Sequence, residues 1–125
     1  RLGLEELINT LTVAGKRVIL VLDNPELDFD PRACLPERGG RCAMDRVTVD
    51  NRQARYRTVV SSVVSKNKHV SVIDLMSYLC DVESCRISSD GYVLYFDHQH
   101  LVVNGSIYLI RNGFSARLAE LMTQG

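Results

Sequence analysis

Leu4, Leu7, Ile8 and Leu11 recur at intervals of three and four, which lays one apolar stripe along a helix ending near Ala14 and Gly15. Val18 to Leu22 then runs without alternation, the pattern of a strand buried on both faces of a parallel sheet. From Asp23 to Val49 the chain turns polar and carries Pro25, Pro31, Pro36 and Gly39-Gly40, a loop longer than most compact domains use. Asp50 is placed to cap a second helix whose apolar stripe is Tyr56, Val59, Val60, Val63 and Val64, with Arg52, Arg55 and Arg57 left to solvent. His69 to Ile73 reads as a second parallel strand, with His69 as a hydrogen-bonded packing residue at its start.

After Asp74 the pattern gives a helical turn through Leu75, Met76 and Leu79, then a hairpin pairing Arg86-Ile87 with Tyr92 to Tyr95 across Ser88-Ser89-Asp90-Gly91. Ile107, Ile110, Phe114, Leu118 and Leu121 form the stripe of a C-terminal helix, which Gly113 weakens. The order α, β, α, β, hairpin, α is that of an α/β fold with parallel strands, part of a three-layer α/β/α sandwich. Two long strands are too few to complete such a sheet. Residues 1–125 therefore read as the C-terminal portion of a single domain, whose further strands come from a missing N-terminal portion or from another chain.

Composition narrows this picture. A hydrophobic share of 46% suits one small globular unit, and Lys plus Arg equal Asp plus Glu at 15 each. No block of like charge offers the basic footprint that nucleic acid requires, so nucleic acid is not an expected partner. The longest apolar run, Val18 to Leu22, is far short of the roughly 20 residues that cross a bilayer. The chain opens on Arg1 directly into a helical pattern, which points to a piece of something longer with any export signal upstream.

The four cysteines fall into two local pairs, Cys34 with Cys42 and Cys80 with Cys85, each flanking a polar turn. Three connectivities are open to four cysteines; two local disulfides are the expected one, which implies an oxidising compartment. Zinc prefers closer ligand pairs than these, with seven and four intervening residues.

The densest polar cluster is Asp97-His98-Gln99-His100, between the hairpin and the last helix. An Asp three residues before a His can accept the proton of one imidazole nitrogen, leaving the other to take a proton from a nucleophilic hydroxyl. His100 is then the base and Asp97 its orienter. Two other readings stay open: Asp97 as cap of the final helix, or Asp97, His98 and His100 as metal ligands. Ser61 and Ser62 fall within a helix and Ser106 just after the base, so none sits on a strand-to-helix turn suited to a nucleophile. Arg32, Arg38, Arg41 and Arg46 could approach an anionic glycan, although Arg-rich polar loops are usually solvated.

The run Tyr95-Phe96-Asp97-His98-Gln99-His100-Leu101, with Gly105 and an apolar helix after it, resembles the last conserved block of SGNH hydrolases, Asp-x-x-His-Leu. With the paired cysteines and the stretch Asn24-Pro25-Glu26-Leu27-Asp28-Phe29-Asp30-Pro31-Arg32-Ala33-Cys34, it is similar more specifically to the SGNH domain fused to membrane-bound acyltransferase-3 proteins. The family commonly has Ser after the His-Leu pair, where Val102 stands here. No Gly-Asp-Ser tripeptide, which carries the family's nucleophile, occurs in the chain, and the blocks that supply its oxyanion donors are absent.

The resemblance implies a flavodoxin-like SGNH sheet and a serine-dependent O-acyltransferase, without cofactor or metal, to which Asp97 and His100 contribute two members of a Ser-His-Asp triad. It implies the missing N-terminal portion of the domain and an integral-membrane acyltransferase domain as partners, a cell-surface polysaccharide or lipopolysaccharide sugar as acceptor, and a periplasmic location. A carbohydrate acetylesterase and a non-catalytic glycan-binding module are the alternatives. Without nucleophile and oxyanion donors, the chain by itself is expected to be inactive.

Overall fold

A computed structural model describes residues 2–35 and 42–124. Pro36, Arg38, Gly39-Gly40 and Arg41 lie outside the described residues. In chain order the elements are α1 (Leu2–Val13), β1 (Val18–Leu22), a 3-10 turn (Pro31–Cys34), β2 (Ala43–Asp45), α2 (Arg46–Val64), β3 (Val70–Asp74) and α3 (Met76–Leu79). There follow β4 (Ser84–Arg86), β5 (Ser88–Ser89), β6 (Tyr92–Val93), α4 (Val103–Leu109), a kinked turn (Ile110–Phe114) and α5 (Ser115–Thr123).

The apolar runs pair as their pattern requires: β1 and β3 are parallel, in register from Val18 with Val70 to Leu22 with Asp74. α1 packs on β1 and α5 on β3, so the molecule is mixed α/β around a two-stranded parallel sheet. Within this chain β1 is not buried on both faces, since Val21 is 48% exposed. Next to the sheet lies the main apolar core, where Leu27, Met44, Val49, Met76, Leu79, Ile87, Leu94 and Tyr95 are buried together.

Three boundaries differ from the sequence expectation. α2 starts at Arg46, because Asp45, and not Asp50, accepts the Thr48 N–H through its side chain (3.0 Å). The cause is β2, which pairs antiparallel with β4 and ends the long loop early; Asp50 instead faces the Arg46 guanidinium at 3.0 Å. The hairpin is shorter and shifted, with β5 against β6, and both turn residues, Asp90 (φ 51°) and Gly91 (φ 80°), adopt the left-handed region that a tight primed turn requires. The last helix is two helices joined at Gly113, whose φ of 121° a side chain would resist. A Cβ there would also lie 3.2 Å from the Tyr78 ring.

Cys80 and Cys85 are joined as a disulfide. The expected Cys34–Cys42 disulfide is not formed in this structure; the Cys42 thiol instead donates to the Cys34 carbonyl oxygen at 3.5 Å. Cys34 is buried in the 3-10 turn, and that burial, with the Cys42 thiol beside it, pushes its pKa up to about 12.

Candidate functional site

Asp97 and His100 share a loop that is closed at its base. The Phe96 N–H donates to the His100 carbonyl (2.7 Å), and Tyr95 faces Leu101 as an isolated bridge. Within it Asp97 Oδ1 accepts the backbone N–H groups of Gln99 and His100, each at 2.8 Å. This is the turn that an Asp side chain makes by bonding its own backbone two and three residues on. It rotates the carboxylate toward the imidazole of His100, whose Nδ1 lies 2.8 Å from Oδ2 and 3.0 Å from Oδ1.

The carboxyl of Asp97 is held down at about 2, first by the Gln99 N–H, then by the His100 N–H and the His100 ring. It stays ionised at any ordinary pH. With Nδ1 engaged by an anion, the proton of a neutral His100 belongs on Nδ1, and Nε2 is left as an acceptor. The His100 side chain is 74% exposed, so that acceptor is open to an incoming group.

The helix-cap reading left open above does not hold. Asp97 does not cap the last helix: α4 begins after Val102 with no side-chain cap, and Asp97 bonds its own turn instead. The backbone N–H of Val102 is held by the Leu94 carbonyl at 3.0 Å, which fixes the helix start without a serine. His98 is exposed and contributes its carbonyl, which accepts the Leu27 N–H at 2.8 Å. Among the described residues no three or more His, Cys, Asp and Glu side chains gather as a metal site.

His69 is exposed rather than packed, and its carbonyl accepts the Val18 N–H (3.0 Å). Of the arginines considered for a glycan, Arg32 grips Asp30 with Nε 3.0 and 2.9 Å from its two oxygens, and Arg46 holds Asp50. Arg38 and Arg41 are among the undescribed residues.

Four residues to which the sequence reading gave no positioning role hold the loop: Asn24, Gln53, Arg57 and Asp74. Asn24 leaves the end of β1 and donates its side-chain amide to the Gln99 carbonyl (2.9 Å), so the strand exit grips the Asp97–His100 loop. Gln53 of α2 donates to the Asn24 carbonyl (2.9 Å) and accepts from Arg57 Nε (2.8 Å). Arg57, expected to face solvent, reaches Asp74 at the end of β3 with two hydrogen bonds of 2.6 and 2.9 Å. Burial works to raise the Asp74 pKa, but Arg57 and the Met76 N–H outweigh it, and the carboxyl titrates below its ordinary value.

A continuous polar chain therefore joins the carboxyl ends of both parallel strands to the loop. The available signal was position: polar residues directly after parallel strands sit where open α/β sheets place their sites. Beside the loop, a cavity of about 310 Å³ is lined by Asp30, Pro31, Phe96 and His98, and Phe96 is 73% exposed.

In a comparison with known families, the model described as the SGNH domain (fused to AT3 domains) matches residues 1–112. No curated protein and no solved structure matches the chain.

Proposed function

The chain belongs to the family of SGNH domains fused to acyltransferase-3 domains, and on that basis we propose that it supplies the base and its orienting carboxylate to a serine-dependent O-acyl transfer. The observation that carries this reading is the Asp97–His100 pair, 2.8 Å between Oδ2 and Nδ1 with Nε2 toward solvent. His100 takes the proton of a serine hydroxyl as the oxygen attacks an acyl carbonyl, and the imidazolium gives that proton to the departing donor as the acyl group passes to serine. A sugar hydroxyl, deprotonated by the imidazole so freed, then attacks the acyl-serine, and the serine oxygen takes that proton from the imidazolium as it leaves the new ester. Asp97 holds His100 in the required tautomer throughout and stabilises the imidazolium.

The serine comes from outside this chain, since no Gly-Asp-Ser occurs in it. We assign it to an N-terminal portion of the same domain, which would also cover the part-exposed β1–β3 sheet; parallel sheets are ordinarily covered on both faces. The acceptor is assigned to a cell-surface polysaccharide or lipopolysaccharide, the acyl supply to the membrane-bound acyltransferase-3 domain, and the location to the periplasm, where the cysteines would oxidise. No described helix is long and apolar enough to cross a membrane.

The test is trapping of the acyl-enzyme on the intact parent protein. Wild type should accumulate it, and Asp97→Asn and His100→Ala should not; unchanged turnover in both variants sinks the reading. With water in place of the sugar hydroxyl the same pair would serve a carbohydrate acetylesterase, the second reading. Free acetate in place of acetylated sugar among the products would select it.

A further inference from the structure

A cavity of about 600 Å³ is an open groove between the β5–β6 hairpin and the last helices, and Asp97 and His100 do not line it. Its size is that of a small-ligand site. Arg86, Asp90, Tyr92, Asn104, Tyr108 and Arg111 stand along it. Arg32, Arg46, Arg57 and Arg117 each face a carboxylate, but neither Arg86 nor Arg111 has an acidic side chain within ion-pair distance among the described residues. Asp81 feels Arg86 from outside the groove, yet its Oδ1 is taken by the Glu83 and Ser84 N–H groups.

Aromatic surface accompanies the charge. Arg86 lies over the Tyr108 ring, 5.4 Å from its centroid, which fixes the guanidinium at the groove wall. Tyr92, 62% exposed, directly follows the tight hairpin turn, so much of it is open to solvent. Two rings that can lie against the C–H face of a sugar, two guanidiniums against the single Asp90 carboxylate, and an Asn amide make a surface suited to an acidic saccharide.

We propose that this groove is an acceptor subsite for an acidic saccharide, one carrying a carboxylate or a phosphate group, which Arg86 and Arg111 bind while Tyr92 and Tyr108 hold its ring. The proposal rests on the acyl-transfer reading and names its acceptor class. Asn104, on the groove wall, follows His100 by four residues, so their Cα atoms are at most about 14 Å apart. An oligosaccharide seated there can present its next hydroxyl to the site.

The test is a nitrogen-15 NMR titration of the full chain with trigalacturonate, glucose 6-phosphate and neutral maltotriose. The charged sugars should shift the amides of Arg86, Tyr92, Asn104 and Arg111, and whichever of the two binds more tightly identifies the acidic group. Arg86→Gln and Arg111→Gln should each weaken binding by up to about fivefold, the scale of a solvent-exposed ion pair. Raising the salt to about 0.5 M should weaken it further. Equal binding of maltotriose, shifts elsewhere that persist in both Gln variants, or no shift at millimolar sugar would overturn the assignment.

Acyl-transfer assays of the intact parent separate the two claims. Transfer that depends on Asp97 without groove binding removes only the groove. Groove binding without such transfer removes only the triad.

Discussion

Replacing Arg57 by Met keeps an aliphatic stem in place but withdraws the guanidinium from Asp74. The change removes hydrogen bonds of 2.6 and 2.9 Å to the carboxylate and the 2.8 Å bond to Gln53, and leaves Asp74 with the Met76 N–H at 3.0 Å. Each bond to a charged partner contributes roughly 1.5–3 kcal/mol when well enclosed. Both side chains are partly open to water, at 24% and 30% exposure, so solvent recovers much of that. The expected loss is about 2 kcal/mol, or roughly 8 °C in Tm for a domain of this size.

Urea unfolding at neutral pH, repeated on Asp74→Asn and on the double variant, measures it. The coupling between the two positions should be about 1 kcal/mol or more. The Gln99 and His100 amides should also exchange faster, because Gln53 no longer holds Asn24 against a fixed partner. A loss below about 0.5 kcal/mol, with unchanged exchange in the loop, would refute the claim that this network braces the site.

Gly105→Ala places a Cβ inside contact distance of the Leu94 carbonyl oxygen and close to the Leu101 side chain, so it should cost about 1–3 kcal/mol or more, read by thermal unfolding. Asn24→Ala removes the amide that holds the Gln99 carbonyl; thermal stability should fall by about 1 kcal/mol while turnover of the intact parent falls about a hundredfold, and parallel small losses would refute positioning. Oxidation should close Cys34–Cys42 as a second disulfide worth roughly 2.5 kcal/mol for so short a loop, detected as loss of alkylation at both thiols without reductant. Asp97 has a folded pKa of about 2, below its ordinary 3.8, so its contribution to stability is complete above about pH 4 and drains away as the pH falls toward 2; in Asp97→Asn that segment of the stability profile should flatten.

The periodic apolar stripes made α1, β1 and β3 legible, because each depends on its own residues. β2 was not legible: three residues, Ala43–Asp45, become a strand only because Ser84–Arg86 passes alongside, a pairing across forty residues that leaves no local period. The same long range hid Arg57, since helical periodicity separates apolar from polar faces and does not say which polar side chain meets a carboxylate from β3. Gly113 was visible as a weak point of the last stripe, and the chain turns there. The relation of Asp97 to His100 could be anticipated because both partners lie within one turn. Asn24 could not, because its acceptor is seventy-five residues away.

The protonation of the His100 ring tests the central claim most directly, by nitrogen-15 correlation spectroscopy of its two ring nitrogens at a pH where the imidazole is neutral. The structure requires the proton on Nδ1, facing Asp97, with Nε2 bare, and it requires Asp97→Asn to abolish that preference. A neutral ring protonated on Nε2 in the wild type, or a tautomer indifferent to Asp97→Asn, would contradict His100 as a base oriented by Asp97.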